Sequence, residues 1–153
     1  MRHKWIGIVG LLGAMLVARA GEKIELRAYQ AQFPTNNESQ HFGIGDDGVT
    51  IHYFSNGSVE WTVPVAMAGK YHLGVAASCS DADGEFAEFK VTVNGKDAGK
   101  PVKLKSKKRD DYGVDLDLPA GKVKVAIAFT NDKYESRKYD RNLFVHQVVL
   151  TQR

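Results

Sequence analysis

Apolar and polar residues alternate along most of the chain. In SVEWTVPV, Val59, Trp61, Val63 and Val65 share one face; in KYHLGVAA, Tyr71, Leu73, Val75 and Ala77 do so. EFKVTV repeats the pattern with Phe89, Val91 and Val93, VDLDL with Val114, Leu116 and Leu118, and VKVAIAF with Val123, Val125, Ile127 and Phe129. A period of two with one apolar face predicts half-buried strands. KIELRAYQ, VTIHYF and FVHQVVLT also fit strands, and turn signals at Asp46-Asp47-Gly48, Asn56-Gly57, Ala68-Gly69, Asn94-Gly95 and Pro119-Ala120-Gly121 separate the segments. No helical stripe appears after residue 20. About nine short strands at this spacing predict an all-β fold, an antiparallel β-sandwich, with Trp61 and Phe89 in the core between its sheets.

The first twenty residues follow another pattern. Arg2, His3 and Lys4 precede an apolar run from Trp5 to Ala18, closed by Ala18-Arg19-Ala20. This predicts a secretory signal peptide over 1–20 and one domain over 21–153, delivered outside the cell or to the periplasm. The run is short for a bilayer span. Cleavage changes the charge argument. The full chain has 21 basic and 18 acidic residues, a formal charge of +3. Arg2, Lys4 and Arg19 leave with the leader, so the remainder balances at 18 of each sign. Neither nucleic acid nor membrane is then expected as a partner. A single cysteine, Cys79, permits no internal disulfide and is expected as a small buried residue. With few histidines, zinc is not expected.

Little of the remaining chemistry points to catalysis. The serines lie outside any Gly-x-Ser-x-Gly elbow, and His41, His52, His72 and His146 are scattered. KLKSKKRDD, residues 103–111, is partly neutralised by Asp110 and Asp111 and fits a lysine-guarded strand end or edge. SDADGE, residues 80–85, lacks the spaced oxygens of an EF-hand and fits a polar turn. NES and NGS are glycosylation sequons at Asn37 and Asn56. The segment FTNDKYESRKYDRNLF differs. Its flanking strands need only a short turn, yet residues 130–141 intervene, with Asp132 and Asp140 near the two ends. Carboxylate, amide and main-chain oxygens are the ligands calcium prefers, and Tyr134 and Tyr139 add flat apolar faces. On residue types alone the segment is either a solvated loop or a one-ion site.

IELRAYQA, VEWTVPVAMAGKYHLGVAAS, FKVTVNGK, and DLPAGKVKVAIAFTND followed by DRNLFVHQVVL occur in this order. Together they resemble the calcium-dependent, xylan-binding carbohydrate-binding modules of families 36 and 60, within the galactose-binding-like jelly-roll sandwiches. The Phe-x-Asn-Asp…Asp-Arg-Asn-Leu pair is the specific part. The resemblance implies that Asp132 and Asp140 are carboxylate ligands of Ca2+ and that Tyr139 lends its carbonyl. It implies that the ion binds vicinal sugar hydroxyls directly, with Asn131, Tyr134, Tyr139, Arg141 and Asn142 as the surrounding ligand-binding set. Arg141 and Asn142 could equally brace the loop. Related modules often hold a second calcium on a Glu-Ala-Glu strand. Here the strand reads Ile24-Glu25-Leu26-Arg27, with Arg at the second acid's place.

The expectation is a secreted module with no catalytic activity of its own, bound to xylan or a similar polysaccharide through calcium. It would work beside a separate glycoside hydrolase or at a cell surface. Two other readings remain at this stage: an extracellular adhesion module with a structural calcium, and a small glycoside hydrolase.

Overall fold

The structure is a computed structural model and describes residues 21–35 and 41–153. The leader and the sequon at Asn37 lie outside the described residues. Six strands form one antiparallel sheet: β1 (Lys23–Glu25), β2 (Phe42–Ile44), β3 (Ile51–Tyr53), β5 (Gly69–Cys79), β8 (Asp110–Leu118) and β12 (Leu143–Gln152). Their order is β2-β3-β12-β5-β8, with β1 also paired to β12. Four strands form the second sheet in the order β4-β9-β6-β7: β4 (Gly57–Val65), β6 (Glu88–Val93), β7 (Lys96–Lys103) and β9 (Gly121–Phe129). A separate hairpin joins β10 (Lys133–Glu135) to β11 (Tyr139–Arg141).

The alternating positions meet between the sheets as expected. Val59, Trp61, Val63, Leu73, Val75, Phe89, Val91, Val125, Ile127 and Phe129 are each no more than 2 % exposed. Buried polar atoms in this core find partners: Tyr53 donates its hydroxyl to the Ile127 carbonyl (3.2 Å), and Trp61 donates Nε1–H to the Arg27 carbonyl (3.0 Å). Cys79 is buried and unpaired, and burial pushes its thiol pKa up.

Twelve strands occur among the described residues, against about nine expected. The extra ones are short or exposed. β2 and the β10–β11 hairpin have three-residue strands, and β7 is a largely exposed edge whose lysines break the alternation. KIELRAYQ is corrected. It is strand only to Glu25 and then enters a 3₁₀ turn at Ala28–Gln30. Glu25 and Arg27 pair with each other at 3.4 Å, which occupies the one carboxylate where a second calcium might have been sought.

Two features of β12 set up the functional end of the molecule. It is a central strand, paired with β5 on one side and with β1 and β3 on the other. A bulge between Val145 and Gln147 then turns both His146 and Gln147 outward and returns Val148 to the core. β9 and β12 lie in different sheets, so residues 130–142 cross from one sheet to the other. The expectation that flanking strands need only a tight turn is therefore corrected. Part of the segment's length is the width of the sandwich itself.

Candidate functional site

The crossover is ordered by side chains. At its start, Asn131 accepts the Glu88 N–H through Oδ1 (2.7 Å) and donates Nδ2–H to the Phe86 carbonyl (3.0 Å). Asp132 follows, and its N–H donates to Asn56 Oδ1 (2.7 Å). The β10–β11 hairpin then pairs Tyr134 with Asp140, with Arg137 in its turn at φ 63. Beneath it Arg141, 3 % exposed, donates from each of its three nitrogens to backbone, with Nη2 also 3.7 Å from the Glu85 carboxylate. Its Nε, Nη1 and Nη2 reach the carbonyls of Glu85 (3.1 Å), Asn131 (2.6 Å) and Ala82 (2.7 Å). A planar, five-donor guanidinium suits this bridging; an ammonium could not hold three diverging carbonyls in one plane.

The SDADGE turn belongs to this framework. Ala82 and Glu85 bridge across Asp83-Gly84, both at positive φ, and Lys133 pairs with Asp83. Ser80 is the clasp on the other side. It donates its hydroxyl to the Asp140 carbonyl (2.5 Å), accepts the Asn142 N–H (2.8 Å), and donates its own N–H to the Asn142 carbonyl (3.1 Å).

Two oxygens inside this scaffold have no partner. Asp132 Oδ1 and Asn142 Oδ1 are buried and accept no hydrogen bond, although Asn142 is only 8 % exposed. Burial, with the nearby Asp140 carboxylate second, holds the Asp132 carboxyl above the usual carboxylate range; the Lys133 backbone N–H, and then Arg141 and His41, oppose this. A buried polar atom without a partner costs about 1–3 kcal/mol. Two repelling acids and an orphaned amide oxygen two residues further along the chain offer an all-oxygen donor set of the kind a hard cation takes. Among the described residues no three His, Cys, Asp or Glu side chains converge. An ion here would thus need amide and main-chain oxygens to complete its shell, as calcium does and zinc does not.

The sequence-predicted residues separate by role. Asp132 lies near enough to Asp140 to feel its charge, and Asn142, two residues after Asp140, carries the second orphaned oxygen. Asn131 and Arg141 are committed to backbone atoms and brace the crossover. Tyr139 donates its hydroxyl to Glu135 (2.9 Å) and carries Lys133 Nζ 5.2 Å from its ring centre. Tyr134 is 68 % exposed. Sequence reasoning missed Ser80 and Asn56. Ser80 was read as part of a polar turn and Asn56 as a sequon, and neither reading shows a side chain reaching 50 or more positions along the chain.

A serine and a histidine also meet on the outer face of the six-stranded sheet. Ser78 Oγ lies 2.7 Å from His146 Nε2, His146 Nδ1 lies 3.2 Å from Thr50 Oγ1, and Thr50 donates to Asp47 Oδ2 (2.5 Å). Hydrogen bonds from Thr50 and Val49 hold the Asp47 carboxyl down to about 2, so it is ionised. Burial holds His146 below its ordinary pKa. Because Thr50 gives its proton to Asp47, it must accept from His146 Nδ1–H, which leaves Nε2 to accept the Ser78 hydroxyl proton. Thr50 stands between acid and histidine, so this is not the direct Ser-His-Asp contact of a hydrolase.

The sequence profile of a family described as a Ca-dependent, xylan-binding carbohydrate-binding module, family 60, matches residues 72–153. The matched region holds the crossover, the hairpin and β12. No curated protein sequence matches the chain. Solved structures share the fold at low identity. One is the first family 36 module of a multidomain xylanase from the hindgut metagenome of Trinervitermes trinervoides. It has a TM-score of 0.68 at 11% identity, covering 86% of this chain and 98% of that one. A family 36 module in complex with calcium and xylotriose superposes with a TM-score of 0.61 at 15% identity, covering 84% and 97%. A family 35 module from Clostridium thermocellum gives 0.60 at 17% identity, covering 86% and 99%.

Proposed function

Because the chain belongs to family 60 of the carbohydrate-binding modules, the calcium-dependent and xylan-binding family, we propose that Asp132, Asp140 and Asn142 hold the calcium ion through which it binds xylan. The observation that carries this assignment is the pair of buried, unpartnered oxygens, Asp132 Oδ1 and Asn142 Oδ1, beside a second carboxylate. The Tyr139 carbonyl, one residue before Asp140, is the main-chain candidate in the same set. When bound, calcium supplies exchangeable oxygen sites that a vicinal diol can occupy, which suits a ligand that carries no charge. The protein's part is to fix the donors. Arg141, Asn131 and Ser80 lock the crossover before any ligand arrives, so little ordering entropy is spent on binding.

The solved xylotriose complex supports the sugar class, and the xylanase-borne neighbour supports work beside a glycoside hydrolase. Calorimetric titration of xylo-oligosaccharide, first in calcium and then in chelator, tests the assignment. Binding should vanish in chelator, and calcium and sugar should raise each other's affinity by the same factor. Undiminished binding in chelator would refute it.

Secretion belongs to the same proposal, since the polysaccharide lies outside the cell. The exported protein should begin at or near Gly21. Intact-mass measurement reads this directly, and an exported form that retains residues 1–20 would refute it.

A further inference from the structure

The ion site accounts for one end of the sandwich, but the outer face of the six-stranded sheet carries features it does not use. Following β12 away from Asn142, the outward positions are Phe144, then His146 and Gln147 at the bulge, then Val149. Phe144 packs edge-on against His52 (5.1 Å between ring centres), and Phe54 stands against both (5.5 Å to His52, 6.3 Å to Phe144). Phe54 is 42 % exposed. This aromatic cluster adjoins the ion site's residues along the chain. Phe144 is two positions from Asn142, and Phe54 is two positions from Asn56, whose side chain holds the Asp132 N–H.

Beyond the aromatics the face turns polar and then hollow. Ser78, opposite Phe144 on β5, has its proton committed to His146, so its remaining lone pairs are free to accept. Further along, a groove of about 470 Å3 lies over the paired residues Gly74 and Gly113, between Asp111, Gln147 and Val149. Gly113 has no room for a side chain, because a Cβ there would sit 2.4 Å from the His72 ring. The stretch from Phe144 to Val149 is roughly 17 Å at ordinary strand rise.

We propose that this outer face is an extension of the ion site, a track along β12 on which an extended neutral polysaccharide continues past the calcium-bound sugar. The proposal rests on the calcium reading above. Phe54 and Phe144 cover the C–H face of the next pyranose, Ser78 accepts a hydroxyl, and the groove over Gly74, with the His72 ring as one wall, admits a further ring. A mixed set of apolar rings, a hydroxyl, the Asp111 carboxylate and the Gln147 amide matches a polyhydroxylated ring with apolar C–H faces. Continuity with the ion site selects the same chain as the occupant.

The test compares xylobiose with xylohexaose by calorimetry in saturating calcium. Wild-type protein should bind the hexaose more tightly. Phe54→Ala should leave calcium and xylobiose affinity unchanged and reduce hexaose affinity about tenfold, with Phe54→Trp restoring it. Gly74→Leu fills the groove from a position where a Cβ meets only ordinary contact, 3.8 Å from the Val149 carbonyl, and should also weaken the hexaose alone. Hexaose binding at wild-type strength in Phe54→Ala and Gly74→Leu would overturn the track while leaving the calcium site standing. A wild-type protein that binds neither sugar in calcium would overturn both.

Discussion

Asp132→Asn is expected to remove most of the stabilisation by calcium while making the calcium-free protein more stable. In the calcium-free fold Asp132 is a half-buried carboxylate with one oxygen unpartnered and Asp140 nearby. Neutralising it removes the repulsion and lowers the burial cost, a gain of about 1 kcal/mol. The same change takes a formal charge from a shell of six to eight oxygens. Wild-type protein with calcium at about 100 times its Kd should gain about 2.7 kcal/mol, a rise in Tm of roughly 8 °C. Asp132→Asn and Asp140→Asn should lose most of that rise, and xylo-oligosaccharide binding with it. A pH signature accompanies it. Because the folded pKa of Asp132 is raised, the calcium-free fold holds more protons than the unfolded chain just above the ordinary carboxylate range. Its stability therefore falls as pH climbs through that window, and calcium uptake there releases protons. Thermal melts of wild type and both variants, with calcium and with chelator, read all of this. A wild-type calcium response in either variant would remove that carboxylate from the site.

The sandwich was legible because each core strand carries its own signal. A one-residue slip in β4 or β9 would turn Trp61 or Ile127 outward, so alternation and burial fix each other. KIELRAYQ misled because Leu26 and Ala28 keep the alternation while the chain has already left the sheet for a 3₁₀ turn, and both still end up buried. At the site, the acids and the closing Asp-Arg-Asn were visible as residue types at a suggestive spacing. What the sequence could not show was who holds whom. Arg141 reads equally well as a ligand-binding residue or a brace until its three carbonyl partners are seen, because those carbonyls belong to Ala82, Glu85 and Asn131 and have no side-chain identity. The outer track was hidden for a related reason. Phe54 and Phe144 are ninety positions apart, and only the pairing of β3 with β12 makes them neighbours.

Trp61→Ala should cost the fold more than any change at the ion site. Trp61 is 2 % exposed midway along β4, opposite Val125, so it cannot serve as a sugar platform. Truncating a buried large aromatic typically costs about 3–5 kcal/mol, set against a total stability of about 5–15 kcal/mol for a domain. The indole also donates to the Arg27 carbonyl, which anchors the chain where it leaves β1, so truncation frees that entry segment as well. Trp61→Phe is the milder change: it keeps a six-membered ring in the core and loses the N–H with the rest of the five-membered ring, at a cost of about 2 kcal/mol. The expected order of Tm is wild type, then Trp61→Phe a few degrees lower, then Trp61→Ala lower by roughly 10 °C or more. Calcium affinity of the folded Trp61→Phe variant should match wild type, since no donor of the ion site touches the indole. Trp61→Ala melting with wild type would place the ring outside the core. Equal melting of Trp61→Phe and wild type would show that neither the Arg27 contact nor the five-membered ring contributes to the fold.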